Sequence, residues 1–284
     1  MPTNVQRREQ AKRKLERQLV RRAERAKRRR VMAVVATAVA VVVVAGGVYF
    51  LATGDFGGDA DDAAASASST PPAQDDAATS IPTELHPAVK RPTPLPAQVA
   101  CEYPAGSEPA SKEAKAPAAG QVSAEGTVGA TLSTSIGDLK LTLDRALAPC
   151  TVNSFVSLAE QGYFNETSCH RLVTSGIQVL QCGDPSGLGS GGPGYSFKDE
   201  VFPELSYGRG VLAMANSGPD TNGSQFFIVY GDGKNLEPKY TVFGTVDEAG
   251  LKLVDEVAKA GTDSGQGDGK PKKAVDIKTA TVVK

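Results

Sequence analysis

Read as a pattern of apolar and polar positions, the chain divides into four stretches. Residues 31–53, VMAVVATAVAVVVVAGGVYFLAT, carry no charge and as a helix would span ~30 Å, the thickness of a bilayer's hydrocarbon core. A transmembrane helix is predicted there, with a cleaved signal peptide as its competitor, although such peptides have shorter apolar runs. From Gly54 to Gly120 the residues Ala, Asp, Ser, Thr and Pro dominate, as in GGDADDAAASASSTPPAQDD and RPTPLPAQ. So little apolar bulk predicts a disordered linker over 54–120, holding the C-terminal domain roughly 45 Å from the membrane.

Past Val122 the pattern changes to short apolar runs separated by Gly, Asn, Asp and Pro: ATLSTSIGDLKLTL, SCHRLV, VLQCG, GVLAMAN, SQFFIVY and YTVFGTV. These are predicted strands. Two segments carry helical signals instead. One is APCTVNSFVSLAEQG, with Pro149 near its start and Gly162 after its end; the other is DEAGLKLVDEVAKAG, with Leu251, Val254 and Val257/Ala258 at helical spacing. Many short strands with two helices over 121–284 predict a mainly β domain, a closed or nearly closed antiparallel barrel capped by the helices.

Charge sharpens the division. Residues 1–30 hold thirteen Lys/Arg and three Glu, a net of +10 within a chain whose formal net charge is −1. By the positive-inside rule this basic arm stays cytoplasmic and the domain lies outside, a single-pass membrane protein. Its cations suit anionic lipid headgroups, and no nucleic-acid role is assigned. No cysteine follows the apolar run until Cys101, which argues against a lipid-anchored lipoprotein. The four cysteines, Cys101, Cys150, Cys169 and Cys182, all fall on the exported side, where disulfides persist; they allow two bridges in three pairings.

Candidate chemistry is sparse. GLGSGG at 187–192 fits G-x-G-x-x-G, but Pro193 and Gly194 follow and no helix begins there. Cys169 and His170 are adjacent, so on a strand they would point to opposite faces and not share a proton. His86 lies in the linker, leaving no second histidine for a metal cluster. Cofactor-free and metal-free chemistry is expected. Within CHRLVTSGIQVLQCGD (169–184), Arg171 and Gln181 are long polar side chains amid apolar strand residues, and must face solvent, an acid or a ligand.

HR at 170–171, QCGD at 181–184, AMANSGPDTNGSQFF at 213–227 and VFG at 242–244 resemble, in order, the signature segments of the cyclophilin peptidyl-prolyl isomerases. The layout of membrane span, Pro-rich tether and four cysteines is similar to the membrane-anchored cyclophilins of actinobacteria. The resemblance implies an eight-stranded antiparallel barrel with two capping helices, and proline-containing segments of exported polypeptides as substrates. It makes Arg171 the catalytic arginine and Gln181 its groove partner. Ala215 and Asn216 correspond to the pair that holds substrate backbone, Gln225 to a polar positioner, Phe227 to the floor of the proline pocket and Leu236 to its wall. Phe226, alternating with Phe227, is expected inside the barrel.

Departures from that pattern matter. Arg171 and Gln181 are ten positions apart where the family has eight, so two residues are inserted in TSGIQ, and either Ile177 or Gln178 stands where the family has a pocket phenylalanine. Val179 replaces a usual methionine, Asn235 a tryptophan and Tyr240 a histidine. A shallower, less aromatic pocket is expected, with weak cyclosporin binding. An enzyme is favoured over a module that holds Pro-containing segments with little turnover, or a thiol enzyme using Cys169 or Cys182. With Gln181 facing the groove, strand alternation turns Cys182 inward and keeps Cys169 on Arg171's face, so a Cys150–Cys169 bridge is expected and a Cys169–Cys182 bridge disfavoured.

Overall fold

Residues 80–120, expected within the disordered linker, are part of the fold. The computed structural model describes residues 80–283; the predicted span 31–53, the basic arm and the linker up to residue 79 lie outside the described residues. β1 (Gln98–Cys101) pairs antiparallel with β2 (Gly120–Ser123), Cys101 opposite Gly120. Arg91, Tyr103 and Cys101 are among the side chains that anchor this extension. Arg91 donates from Nε to the Leu147 carbonyl and from Nη2 to the Glu200 carbonyl, both at 2.8 Å, and lies over the Phe202 ring. Tyr103 is buried against Tyr195 and Phe197. Cys101 is bonded to Cys150. A segment poor in apolar residues can dock on a formed surface with few anchors, which its average composition does not reveal.

Strict alternation builds the longest hairpin. In β3 (Thr127–Thr134), Val128, Ala130 and Leu132 are buried; in β4 (Gly137–Asp144), Leu139, Leu141 and Leu143 are buried, with Leu132 opposite Leu139. The remaining strands are β5 (Thr167–Ser168), β6 (Arg171–Val173), β7 (Val179–Cys182), β8 (Val211–Met214), β9 (Phe226–Val229), β10 (Val242–Val246), β11 (Asp268–Gly269) and β12 (Asp276–Val283). With β3 and β4 they form one curled antiparallel sheet in the order β11-β6-β7-β9-β8-β10-β4-β3-β12-β5. Ten strands stand where eight were expected, for two reasons. β5 and β6 are one stretch interrupted at Cys169–His170, which joins opposite ends of the sheet order, and β11 is a two-residue addition to β6.

Two helices pack on the sheet, as the pattern predicts; α1 (Pro149–Glu160) lies against β12 and the β1–β2 hairpin, and α2 (Glu248–Ala260) against β4. α1 opens with Pro at its first turn and has no capping side chain of its own. Glu200 supplies the cap from a distant loop, accepting from Cys150 N–H at 3.0 Å and from Thr151 N–H and Oγ1–H at 2.8 and 2.7 Å. α2 is capped locally by Asp247, which accepts from Gly250 N–H. It is also clamped by Asp255, which takes a bidentate pair from buried Arg209 at 2.8 Å; that guanidinium donates to the Tyr230 carbonyl as well. Phe155 on α1 meets Phe164, Phe226 and Phe243 at the centre of the core, so Phe226 points inward as expected.

The expected Cys150–Cys169 bridge is wrong. The pairs are Cys101–Cys150 and the disfavoured Cys169–Cys182, whose Cα atoms lie 3.9 Å apart. Strand alternation does not apply here, because Cys169 sits in the break before β6 and does not follow its pleat. Its side chain turns inward beside Cys182, both at most 3% exposed.

Candidate active site

A single row of residues crosses the outer face of the sheet. Arg171 on β6 is directly opposite Gln181 on β7, Gln181 opposite Phe227 on β9, and Phe227 opposite Ala213 on β8. Directly opposite residues place their Cβ atoms ~5 Å apart on one face. This is why residues distant in sequence converge. The inward-facing neighbours Leu172, Leu180, Phe226, Ile228 and Leu212 are fully buried and fix the wall behind them.

Polar side chains are linked along the row. Arg171 Nη1 donates to Gln181 Oε1 at 3.3 Å, Gln181 Nε2 to Gln225 Oε1 at 2.8 Å, and Gln225 Nε2 to the carbonyls of Gly189 and Gly191 at 3.1 and 2.9 Å. At the other end Arg171 donates from Nε to Asp268 Oδ1 at 2.8 Å and from Nη2 to Oδ2 at 2.6 Å. This hydrogen bonding, chiefly, raises the arginine's pKa against the opposing effect of burial. An arginine among strand residues here faces both an acid and the open groove, with 43% of its side chain exposed. Asp268 was missed because GQGDGK reads as an exposed turn, and no local pattern shows that it pairs with β6.

The glycine-rich loop 187–192 is organised around an internal anion. Asp184 is fully buried and accepts from Ser186 N–H at 2.7 Å, Gly189 N–H at 2.7 Å and Gly191 N–H at 3.1 Å. Burial pushes its pKa up, but these bonds and that from the Ser186 hydroxyl more than offset it and hold it below the ordinary value. The loop's amides therefore point at a carboxylate of the fold. A Cβ at Gly191 would collide with Asp184, and one at Gly183 with the Ser224 carbonyl, where φ is also +89°. The glycine of QCGD thereby lets the end of β7 approach Ser224–Gln225.

The apolar part of the face is built on Phe227, whose ring meets Tyr240 edge-on at 5.5 Å; Tyr240 in turn lies against Tyr207, whose hydroxyl donates to the Tyr240 carbonyl. Val179 is buried opposite Val229. Leu236 is partly buried and lines a neighbouring cavity with Leu85, Tyr207 and Gly233. Of the two residues left open, Gln178 is taken up by the fold: its Oε1 accepts from Asp232 N–H and its Nε2 donates to the Ser80 carbonyl, both at 2.8 Å. Ile177 is the partly exposed member of the pair. Asn235, at the expected tryptophan position, donates to the Gly176 carbonyl at 2.9 Å, tying its loop to the inserted turn. Ala215 N–H donates to the Gln225 carbonyl, and Asn216 donates to the Lys239 carbonyl at 3.0 Å. Ala215, Asn216, Gln181 and Gln225 share a cavity of about 480 Å³.

Comparison with known proteins decides what this face belongs to. The family described as "Cyclophilin type peptidyl-prolyl cis-trans isomerase/CLD" matches residues 130–282, more than half of the chain. The chain belongs to the cyclophilin-type peptidyl-prolyl cis-trans isomerases. It is 57% identical over 291 residues to the "Probable peptidyl-prolyl cis-trans isomerase B" of Mycobacterium tuberculosis, covering 98% of this chain and 93% of that one. The protein of the same name from Mycobacterium leprae is 50% identical over 195 residues, 64% of this chain and 66% of that one. A crystal structure of a cyclophilin from Cryptosporidium parvum superposes with a TM-score of 0.50 at 34% identity, covering 56% of this chain and 99% of that one. In this cyclophilin the extension 80–129 lies ahead of the family match.

Proposed function

We propose that this cyclophilin isomerises prolyl bonds in exported polypeptides outside the cytoplasmic membrane, with Arg171 stabilising the twisted amide. The observation that carries the reading is the register row Arg171–Gln181–Phe227, which sets a guanidinium beside an aromatic floor on one face. A prolyl bond resists rotation by ~18–20 kcal/mol because the nitrogen lone pair is delocalised into the carbonyl. As the bond twists, the nitrogen becomes pyramidal and regains that pair, so a donor held beside it gains a hydrogen bond present only in the transition state. A guanidinium has five N–H donors. Asp268 takes one from Nε and one from Nη2, and Gln181 one from Nη1, which leaves an N–H on each terminal nitrogen to face the substrate. No proton moves and no covalent bond forms.

Phe227, with Tyr240 at its edge, is assigned the proline ring, and Val179, Ile177 and Leu236 are assigned to the wall of its pocket; Ala215 and Asn216 are assigned the substrate backbone. Gln181 and Gln225 hold the guanidinium's orientation. Export is supported by the uncharged run 31–53 behind a basic arm and by two disulfides, which persist in oxidising compartments. Two measurements test the proposal: exchange NMR on an Ala-Pro peptide reads the activity, and reporter fusions active only outside the membrane, placed after residues 30 and 120, read the topology. Activity from the second fusion and none from the first is expected.

A further inference from the structure

The cavity beside the arginine row has a wall that the family match does not include. Gly106–Pro109, from the extension, closes one side of the 480 Å³ space that Gln181, Ala215, Asn216 and Gln225 open onto. We propose that this segment gives the cavity a charge preference: Glu108 makes it select a cationic side chain, Lys or Arg, flanking the proline of the polypeptide. The proposal rests on the isomerase reading of the adjacent groove.

The wall is held firmly. Gly106 N–H donates to the Gly194 carbonyl, Ser196 N–H to the Pro104 carbonyl and Ser111 N–H to the Gly192 carbonyl, at 2.9 to 3.0 Å; Gly192 N–H donates back to Ser111 Oγ at 3.0 Å. Backbone contact this close constrains side-chain size, since a Cβ at Gly194 would meet the Ala110 backbone. Just before the wall, Tyr103 is buried and donates to the Cys150 carbonyl at 2.8 Å, and Cys101 is bonded to Cys150 on α1. The extension therefore cannot swing away from the cavity without breaking a covalent tie and exposing a buried ring.

Chemistry gives the class of occupant. The cavity is lined mostly by Gly, Ser, Thr and backbone, too polar and too small in its side chains to grip an apolar group, and Glu108 is the one charged side chain among the described residues that line it. Because the space is continuous with Gln181 and Gln225, a chain whose proline rests on Phe227 brings the residues on one side of that proline across or beside it. A long side chain reaching past Ala215 would bring its charge to Glu108, which is exposed on the rim. Solvent-exposed ion pairs are weak and screened by salt, so the preference is about two- to fivefold in rate at low salt.

The test uses the full-length chain and Ala-Pro peptides carrying Lys, Ala or Glu at each of the three positions on either side of the proline, with catalysed exchange read by NMR. The parent is expected to act on Lys peptides about two- to fivefold faster than on Glu peptides at a position on one side of the proline, with the contrast shrinking in high salt. Glu108→Gln should erase the contrast and Glu108→Lys reverse it, while all three proteins treat the Ala peptide alike. Equal rates on Lys and Glu peptides, or a contrast that persists in both variants, would overturn the proposal. Failure on the Ala peptide itself would instead overturn the isomerase reading; the same charge contrast, read as affinity by chemical-shift titration, would then still decide the charge preference.

Discussion

Arg171 and Asp268 form a two-point ion pair, Nε to Oδ1 at 2.8 Å and Nη2 to Oδ2 at 2.6 Å, across the short β6–β11 pairing. Both side chains are about half exposed, so the pair adds little to stability. Its consequence is geometric. A guanidinium gripped on one edge presents its other edge in a fixed plane, which a lone surface arginine does not.

Asp268→Ala is accordingly expected to lower kcat by on the order of tenfold with little change in KM, because a misdirected donor costs transition-state binding more than substrate binding. Asp268→Glu should recover part of the loss. Steady-state kinetics on one Ala-Pro peptide checks both; a rise in KM at constant kcat would mean that Asp268 touches substrate instead.

His170 offers a pH-dependent readout. It is buried in the break between β5 and β6, and neither ring nitrogen has a hydrogen-bond partner. Burial lowers its pKa, Asp184 opposes this, and Arg171 and Lys270 add to the lowering. A histidine kept neutral in the fold is protonated first in the unfolded chain, so stability falls as pH drops below the unfolded value of ~6.5. Asp184, whose pKa is lowered, loses its contribution in a separate, more acidic window below ~3.9. Urea midpoints should therefore decline between about pH 7.5 and 5.5, and His170→Asn should flatten that decline; an unchanged slope in the variant would assign it elsewhere.

Cyclosporin should bind weakly. The chain has no tryptophan, and Asn235, which donates one N–H to the Gly176 carbonyl, offers no indole surface there. Losing the roughly 150–250 Å² that an aromatic residue buries, at about 25 cal/mol per Å², is worth several kcal/mol, and each ~1.4 kcal/mol is tenfold. Inhibition roughly ten- to a hundredfold weaker than for tryptophan-bearing relatives is expected, with partial recovery in Asn235→Trp. Nanomolar inhibition of the parent in a side-by-side titration would contradict this.

How far the sequence discloses such a site depends on whether the determining contacts are local. Alternation in β3 and β4, the Pro149 and Gly162 boundaries of α1 and the inward Phe226 beside outward Phe227 are local, and all are legible. Gln181 and Gln225 are found through their motifs, though their hydrogen bond to one another is not. Asp268, Arg209–Asp255 and the Glu200 cap of α1 depend on which distant segments become neighbours, and nothing in their own surroundings announces it. The disulfides escape for a related reason: a two-residue break at Cys169–His170 is enough to undo strand parity. The extension is misjudged because Arg91, Cys101 and Tyr103 are diluted among Ala and Pro, yet each finds a partner on the sheet, on α1 or in the loops between them.

The central claim is that an oriented guanidinium, and not charge alone, opposes amide resonance in the substrate. It is tested most directly by comparing Arg171→Ala and Arg171→Lys with the parent, measuring catalysed exchange of an Ala-Pro peptide by NMR and peptide affinity by titration on the same samples. Both variants should bind the peptide within a few-fold of the parent and lose one or more orders of magnitude in rate, as expected for removing a key transition-state donor worth ~2.7–4 kcal/mol, with Lys failing to restore it because it lacks the planar fork. Parent-like exchange in Arg171→Ala would contradict the account.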